Sequence, residues 1–341
     1  MATFGIEIEL TDPRAREDYQ VARALAQALG EGAEVGSVHR AHPFYATRPA
    51  VWWKGGYWAM EYDRSITPQG VEIISPILSG DEGIEAVQDV VRAARKIGLR
   101  ANSSTGVHVH VGASHLSEAG FRRLISRWLS IEPLAIAVFR RTGVRWAKPM
   151  PLDLYRAAIS GTLARATLEE VALILNNTAP SEQRCETGEE AVDAFLARHY
   201  HKARYKAMNL VAFWQKGTVE FRIFQFSKSL PHAGEAKTFI QFALAMVREA
   251  ARGTRFSRAH LPTPGRPLKE IWRAFLVHLG LTGPKYKTLR LHAVRRRDWG
   301  QIERRLRDLL DARFSYGPER DAWYTITQAR IVEEQEYEYE G

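Results

Sequence analysis

The sequence predicts an α+β protein, a mainly antiparallel sheet with helices packed on one face and a helical C-terminal extension. Three observations predict it. Strand-like segments with period-two alternation fill roughly the first 110 residues and return near residue 220. A helical block separates these groups, at about 115–205. The regular strand–helix alternation that signals a parallel sheet is missing.

Alternating apolar and polar residues mark strands at Phe4–Leu10, Val51–Lys54, Tyr57–Asp63, Val71–Leu78, Gly106–Gly112, Leu210–Trp214 and Thr218–Phe226. Gly55-Gly56 signals a hairpin between two of them, because glycine accepts the positive φ such turns require. Helical periodicity covers Arg14–Leu29, Asp81–Ile97, Ser117–Arg140, Leu168–Leu175, Glu189–His199 and Glu235–Arg252. Ser117, ahead of Gly120 and Phe121, and Asp81, ahead of Glu85, mark two of the starts. A Pro- and Gly-rich break occupies 253–267. The expected organisation is therefore a main domain over 1–252 with its helical insertion, a linker over 253–267, and a basic helical extension over 268–341. That extension holds Arg295, Arg296, Arg297, Arg304, Arg305 and Arg307, with Leu306, Leu309 and Leu310 as its candidate buried side, and ends in the acidic run EEQEYEYEG.

Composition narrows the setting. The 341 residues are 45% hydrophobic, enough for one large core or for a large domain plus a smaller one. The single cysteine, Cys185, excludes an internal disulfide and any zinc-binding cysteine cluster, so a reducing cytoplasm is expected. The opening MATFGIEIEL lacks the basic lead and apolar core of a secretion signal, and no run of about 18 apolar residues suggests a membrane span. Forty-eight Lys and Arg against 39 Asp and Glu give a formal charge of +9. That balance suits an anionic partner such as a nucleotide, a nucleic acid or an acidic peptide, and equally a solvated basic surface.

Four strands share one peculiarity. In FGIEIEL, Phe4, Ile6, Ile8 and Leu10 fall on one side and Glu7 and Glu9 on the other. In GVHVHVG, three valines oppose His108 and His110. In TVEFRIF, Val219, Phe221 and Ile223 alternate with Glu220 and Arg222, and in GVEIISP Glu72 alternates with Val71 and Ile73. Any one such strand is also an ordinary half-wetted strand, and Glu220 with Arg222 alone reads as a surface ion pair worth under about 1 kcal/mol. Together, however, the polar residues are metal- and phosphate-ligand types. Carboxylates at i and i+2 stand about 7 Å apart and repel by roughly 2–3 kcal/mol at an effective dielectric near 20. A hard divalent cation relieves that repulsion, and oxygen-rich sites suit Mg²⁺ or Mn²⁺. Arg222 beside these acids suits an anion arriving with the metal, such as a polyphosphate.

The succession FGIEIE, MEYDRSI, GVEIISP, TGVHVHVG, RYKAMNL and TVEFRIF resembles the amidoligase family, a branch of the glutamine synthetase and glutamate–cysteine ligase superfamily. The resemblance spans about residues 3 to 250 and implies a curved, glutamine synthetase-like antiparallel sheet with helices on its convex face. The concave face would bind ATP and Mg²⁺ or Mn²⁺. Carried over by motif, Glu7, His108 and Glu220 would hold one metal and Glu9 and Glu72 a second, with Asp63 and Ser65 near that second metal or the substrate. His110 would lie towards the nucleotide phosphates. Arg222 would stabilise the transferring phosphoryl group or the substrate carboxylate, and Arg204, Tyr205 and Asn209 would line the pocket.

The implied reaction joins a small-molecule or peptide carboxylate to an amine through an acyl phosphate. Asp63 is also a candidate base for the amine. Two other readings stand beside it: a metal-dependent hydrolase or phosphotransferase using the same face, and a nucleic-acid-binding protein acting through the basic C-terminal segment. The acidic sheet face argues against the last.

Overall fold

The computed structural model describes residues 2–39, 47–139, 147–177, 202–253 and 266–314. The chain forms two compact units, both discontinuous in sequence: Met1–Val111 with Arg222–Leu244, and Gly112–Phe221 with Ala245–Gly341. Nine strands occur among the described residues: β1 Thr3–Thr11, β2 Glu34–His39, β3 Thr47–Trp53, β4 Gly56–Tyr62, β5 Gly70–Ile74, β6 Leu78–Ser79, β7 Val107–Gly112, β8 Met208–Asn209 and β9 Thr218–Phe224. They form an open antiparallel sheet in the order β2-β3-β4-β5-β1-β7-β9-β8, with β6 also pairing β1. The α+β, antiparallel expectation therefore holds.

In the first unit, β1 lies at the centre because it alternates without interruption. Phe4, Ile6, Ile8 and Leu10 are each at most 2% exposed, as are Val71, Ile73, Val107, Val109 and Val111 on its neighbours. Full burial of each such side chain stabilises by roughly 1.5–3 kcal/mol. This apolar face receives α1 (Asp18–Leu29), through Val21, Ala22, Leu25 and Ala26, and α2 (Gly80–Lys96), through Ile84, Val87, Val90 and Val91. Phe224 of β9 stacks on Phe239 of the long helix Ala233–Arg252, with ring centroids 4.8 Å apart.

Two turns control this half. The β3–β4 hairpin turns on Lys54 and Gly55, at φ 38° and 91°, so Gly56 starts β4 and is not part of the expected turn pair. The space beside Gly70 admits no side chain: a Cβ there would collide with Ile66 Cγ2 and with the Leu10 carbonyl oxygen. Because that oxygen is backbone, relief must come from shifting the β1–β5 ladder, where Gly70 faces Thr11. Gly70→Ala is therefore expected to cost about 1–3 kcal/mol. Urea unfolding checks this, and an unchanged midpoint would contradict it.

The helical block contains α3 (Glu118–Phe139), α4 (Leu152–Ile159) and α5 (Leu168–Asn177) among its described residues. Ser117 Oγ accepts the Gly120 N–H, and Thr167 and Glu170 form a reciprocal cap before α5. The predicted strand Leu210–Trp214 is instead a short helix, α6 (Val211–Lys216). Asn209 Oδ1 accepts the Val211 N–H at its start, and Gly217, at φ 65°, ends it. The predicted helix Glu189–His199, Cys185 and the acidic tail lie outside the described residues.

With Ala233–Arg252 as α7, the extension supplies α8 (Leu268–His278), α9 (Lys287–Arg290) and α10 (Trp299–Phe314). α10 packs on α3, burying Ile302, Leu306 and Leu309. The arginines of the extension do not form one surface: Arg295, Arg296, Arg304 and Arg307 are exposed, Arg305 is half-buried and Arg297 is buried. No helix among the described residues is long and apolar enough to cross a membrane.

Candidate functional site

The sheet face opposite the apolar core of the first unit carries its ionisable groups in register. Glu7 stands opposite His108, Gly5 opposite His110, and Glu9 opposite Glu72. One strand further, Glu72 stands opposite Glu61. Glu61, Glu72 and Glu9 thus form a lateral row across β4, β5 and β1. Glu61 is not among the site residues expected from the sequence, although it alternates between Met60 and Tyr62 just as Glu9 alternates between Ile8 and Leu10. Its carboxylate is paired with Arg48.

His108 is the hub. It is buried, with Nδ1 3.0 Å from Glu7 Oε2 and Nε2 3.2 Å from Glu9 Oε1. His110 Nε2 lies 3.3 Å from the other oxygen of Glu7. A neutral imidazole has one N–H and can satisfy only one carboxylate. Two carboxylates on one ring therefore require a positive charge among them, as a proton or as a metal ion.

The acids respond unequally. Burial pushes the Glu7 carboxyl up, but the charge of His110 and hydrogen bonds with His108 and His110 outweigh it, holding Glu7 well below the usual carboxylate range. Glu72 goes the other way. Burial raises it, the charges of Glu7, Glu9 and Asp63 raise it further, and Arg222 opposes them only in part. The face carries more negative charge than its own cations neutralise.

Oxygen atoms of Glu7 and Glu72 and a ring nitrogen of His108 all lie within 4.8 Å of one another, and these three residues could hold a metal ion. The donor chemistry fits a hard divalent cation, with two carboxylates and an imidazole from adjacent strands. This groups Glu72 with Glu7 and His108, while Glu9 sits against the far nitrogen of His108. Arg222, on β9, is 7% exposed and within electrostatic reach of Glu72. Asp63 also faces Glu72 electrostatically. Its side chain accepts the Ser65 N–H at 2.7 Å, so both residues belong to the tight turn after β4. Asn102 and Ser104 pin that turn by hydrogen bonds to Thr67.

The remaining sequence-predicted residues belong to the second unit. Glu220 is 2% exposed and accepts a 2.6 Å hydrogen bond from Asn209 Nδ2. Asn209 therefore orients Glu220 as well as capping α6. Arg204 lies over the Tyr205 ring, 5.7 Å from its centroid. Along β9, Glu220 and Arg222 are two residues apart and share a face of the strand.

Comparison with known proteins adds an independent line. A family model described as "Putative amidoligase enzyme" matches residues 1–247, which take in every ionisable residue of the sheet face. No curated protein matches the chain. The family's description supports an enzyme with ligase activity. With close to three-quarters of its length matched, and with the strand motifs in the expected order, this chain belongs to the amidoligase family.

Proposed function

We propose that this protein is an ATP-dependent carboxylate–amine ligase that forms an amide through an acyl phosphate, with Mg²⁺ or Mn²⁺ as its metal. One observation supports this above the rest: three glutamates and two histidines from β1, β5 and β7 converge on one face with the buried Arg222. An acid surplus of this kind is costly unless cations arrive with the substrate.

Glu7, Glu72 and His108 would hold a metal, with Glu9 and Glu220 as further carboxylates of the same strands. The metal would neutralise polyphosphate charge and polarise the phosphoryl group. Arg222 would bind the γ-phosphate and stabilise the negative charge that spreads over its oxygens during transfer to the substrate carboxylate. His110 would stay close to the phosphates. Asp63, beside the Glu61–Glu72–Glu9 row, would take the proton that the attacking amine must lose. Arg204, Tyr205 and Asn209 would help to line the nucleotide and substrate pocket.

The test is ATP consumption with Mg²⁺ or Mn²⁺ over a panel of carboxylates, with hydroxylamine to trap an acyl phosphate as a hydroxamate. Hydroxamate that depends on both ATP and the metal is the expected result. Metal-dependent hydrolysis of ATP or of a phosphoester, with no hydroxamate from any carboxylate, would replace the ligase with a hydrolase or phosphotransferase. Salt-sensitive binding of DNA or RNA without ATP turnover would favour a nucleic-acid-binding role instead. Metal binding is separable from turnover: Glu72→Gln is expected to weaken Mn²⁺ affinity at least about tenfold, read by electron paramagnetic resonance titration. Undiminished affinity would exclude Glu72 as a ligand.

A further inference from the structure

Beside the acidic row, the first unit holds a cavity of about 930 Å³ with no role in the scheme above. Its size is at the upper end for small-molecule sites, larger than a simple amine needs. The start of α1, the strands β3 and β4 and Arg64 line it, and it is open to solvent on one side. Glu61 belongs both to its lining and to the Glu61–Glu72–Glu9 row, so it opens alongside the residues assigned to chemistry.

We propose that this cavity is a subsite for a zwitterionic, peptide-like substrate, its ammonium held by Asp18 and Glu61 and its carboxylate by Arg64. The inference rests on the ligase reading and deepens it by naming the chemical class of the amine substrate.

The lining divides by charge and by polarity. Arg48 is 6% exposed and already paired with Glu61, so it fixes that carboxylate more than it offers a hand to a ligand. Arg64, by contrast, is exposed at the rim, where a guanidinium can take a carboxylate by two parallel hydrogen bonds. On the acidic side, Glu17 is committed to the cap of α1. Asp18 is half-buried in the wall. Burial lifts its carboxyl above the usual range despite the Tyr62 N–H and Arg48, with Glu17 adding to the rise. An arriving ammonium would relieve that cost. Tyr19 and Tyr62, 54% and 52% exposed, supply aromatic faces that suit an ammonium and a peptide backbone. A simple diamine would leave Arg64 without use, and a dicarboxylate would meet Asp18 and Glu61 as like charges.

The experiment is calorimetric titration of the full-length protein, without nucleotide, against the twenty free L-amino acids and the corresponding glycyl dipeptides. At least one is expected to bind saturably, with its N-acetyl and its C-terminal amide derivatives each at least about tenfold weaker. Asp18→Asn should erase the penalty for acetylation, and Arg64→Ala the penalty for amidation. Thr47→Trp, at an exposed position of the lining, should abolish binding while thermal unfolding stays that of the wild type. Absence of any saturable binder, equal binding of the blocked derivatives, or binding that survives Thr47→Trp would overturn the proposal. Because nucleotide is left out, failure of hydroxamate trapping would leave a positive binding result standing. Successful trapping with no binder would fell this inference alone.

Discussion

Arg222→Ala is expected to lower ATP-dependent hydroxamate formation by about 10²–10³-fold, the usual cost of removing one buried donor aimed at developing charge. The arginine is 7% exposed, so its charge acts in a medium that screens it poorly. It is also the cation that opposes the burial and the like charges acting on Glu72. Loss of Arg222 should therefore harm phosphoryl transfer and raise the Glu72 carboxyl further. Arg222→Lys separates these effects: it keeps the charge near Glu72 but loses the planar fork, so metal affinity should recover more than turnover does. Glu9→Gln removes one of the two carboxylates that share His108, whose Nε2 it faces at 3.2 Å, and should abolish trapping as well. Circular dichroism and thermal unfolding close to wild type must accompany both losses. Trapping retained in both variants would remove the site assignment, whatever the family.

Much of this site was legible in the sequence because strand periodicity separates two kinds of residue onto two faces. The alternations in FGIEIEL and GVHVHVG locate core and site together, and β1 and β7 pair so that Glu7 meets His108. Cross-strand partnership is less visible. Nothing in local spacing says that Glu61 stands beside Glu72, since that depends on the β4–β5 register.

β2 is hidden in the sequence for another reason: it has no buried residue, so it shows no apolar alternation. The residues LVAFW, at 210–214, have the composition of a strand yet form a helix. The Asn209 side chain and the left-handed Gly217 control the ends of that segment, and tertiary burial of Val211 and Ala212 is satisfied equally well by helix. α1 begins at Asp18 and not at Arg14 because Asp12 gathers the N–H groups of Arg14 and Arg16 while Ala15 takes φ 49°. At α6 and at the start of α1, side-chain capture of backbone donors overrode periodicity.

The same competition between burial and hydrogen bonding predicts the largest stability effect, at Glu132 in α3. This side chain is fully buried and accepts from Trp128 Nε1 at 2.7 Å, from the Met150 N–H at 3.0 and 3.1 Å, and from Tyr155 Oη–H at 2.7 Å. It ties α3 to the start of α4. Burial nonetheless prevails over these donors and over Lys206, pushing its carboxyl up to about 7. A group whose folded value exceeds its unfolded value of 4.5 binds more protons when folded. Stability should therefore fall as pH rises from about 4.5 to 7, by roughly 3 kcal/mol from this residue alone. Glu132→Gln is neutral throughout and should lose that share of the pH dependence, the rotatable Tyr155 hydroxyl accepting from the new amide. Glu132→Ala should cost about 3–5 kcal/mol at pH 5, because it strands three buried donors around a cavity. Calorimetric unfolding of the three proteins between pH 5 and pH 8 decides the matter. If the carboxylate were instead the stable form in the core, the wild type would show no such slope and the glutamine variant would be destabilised at every pH.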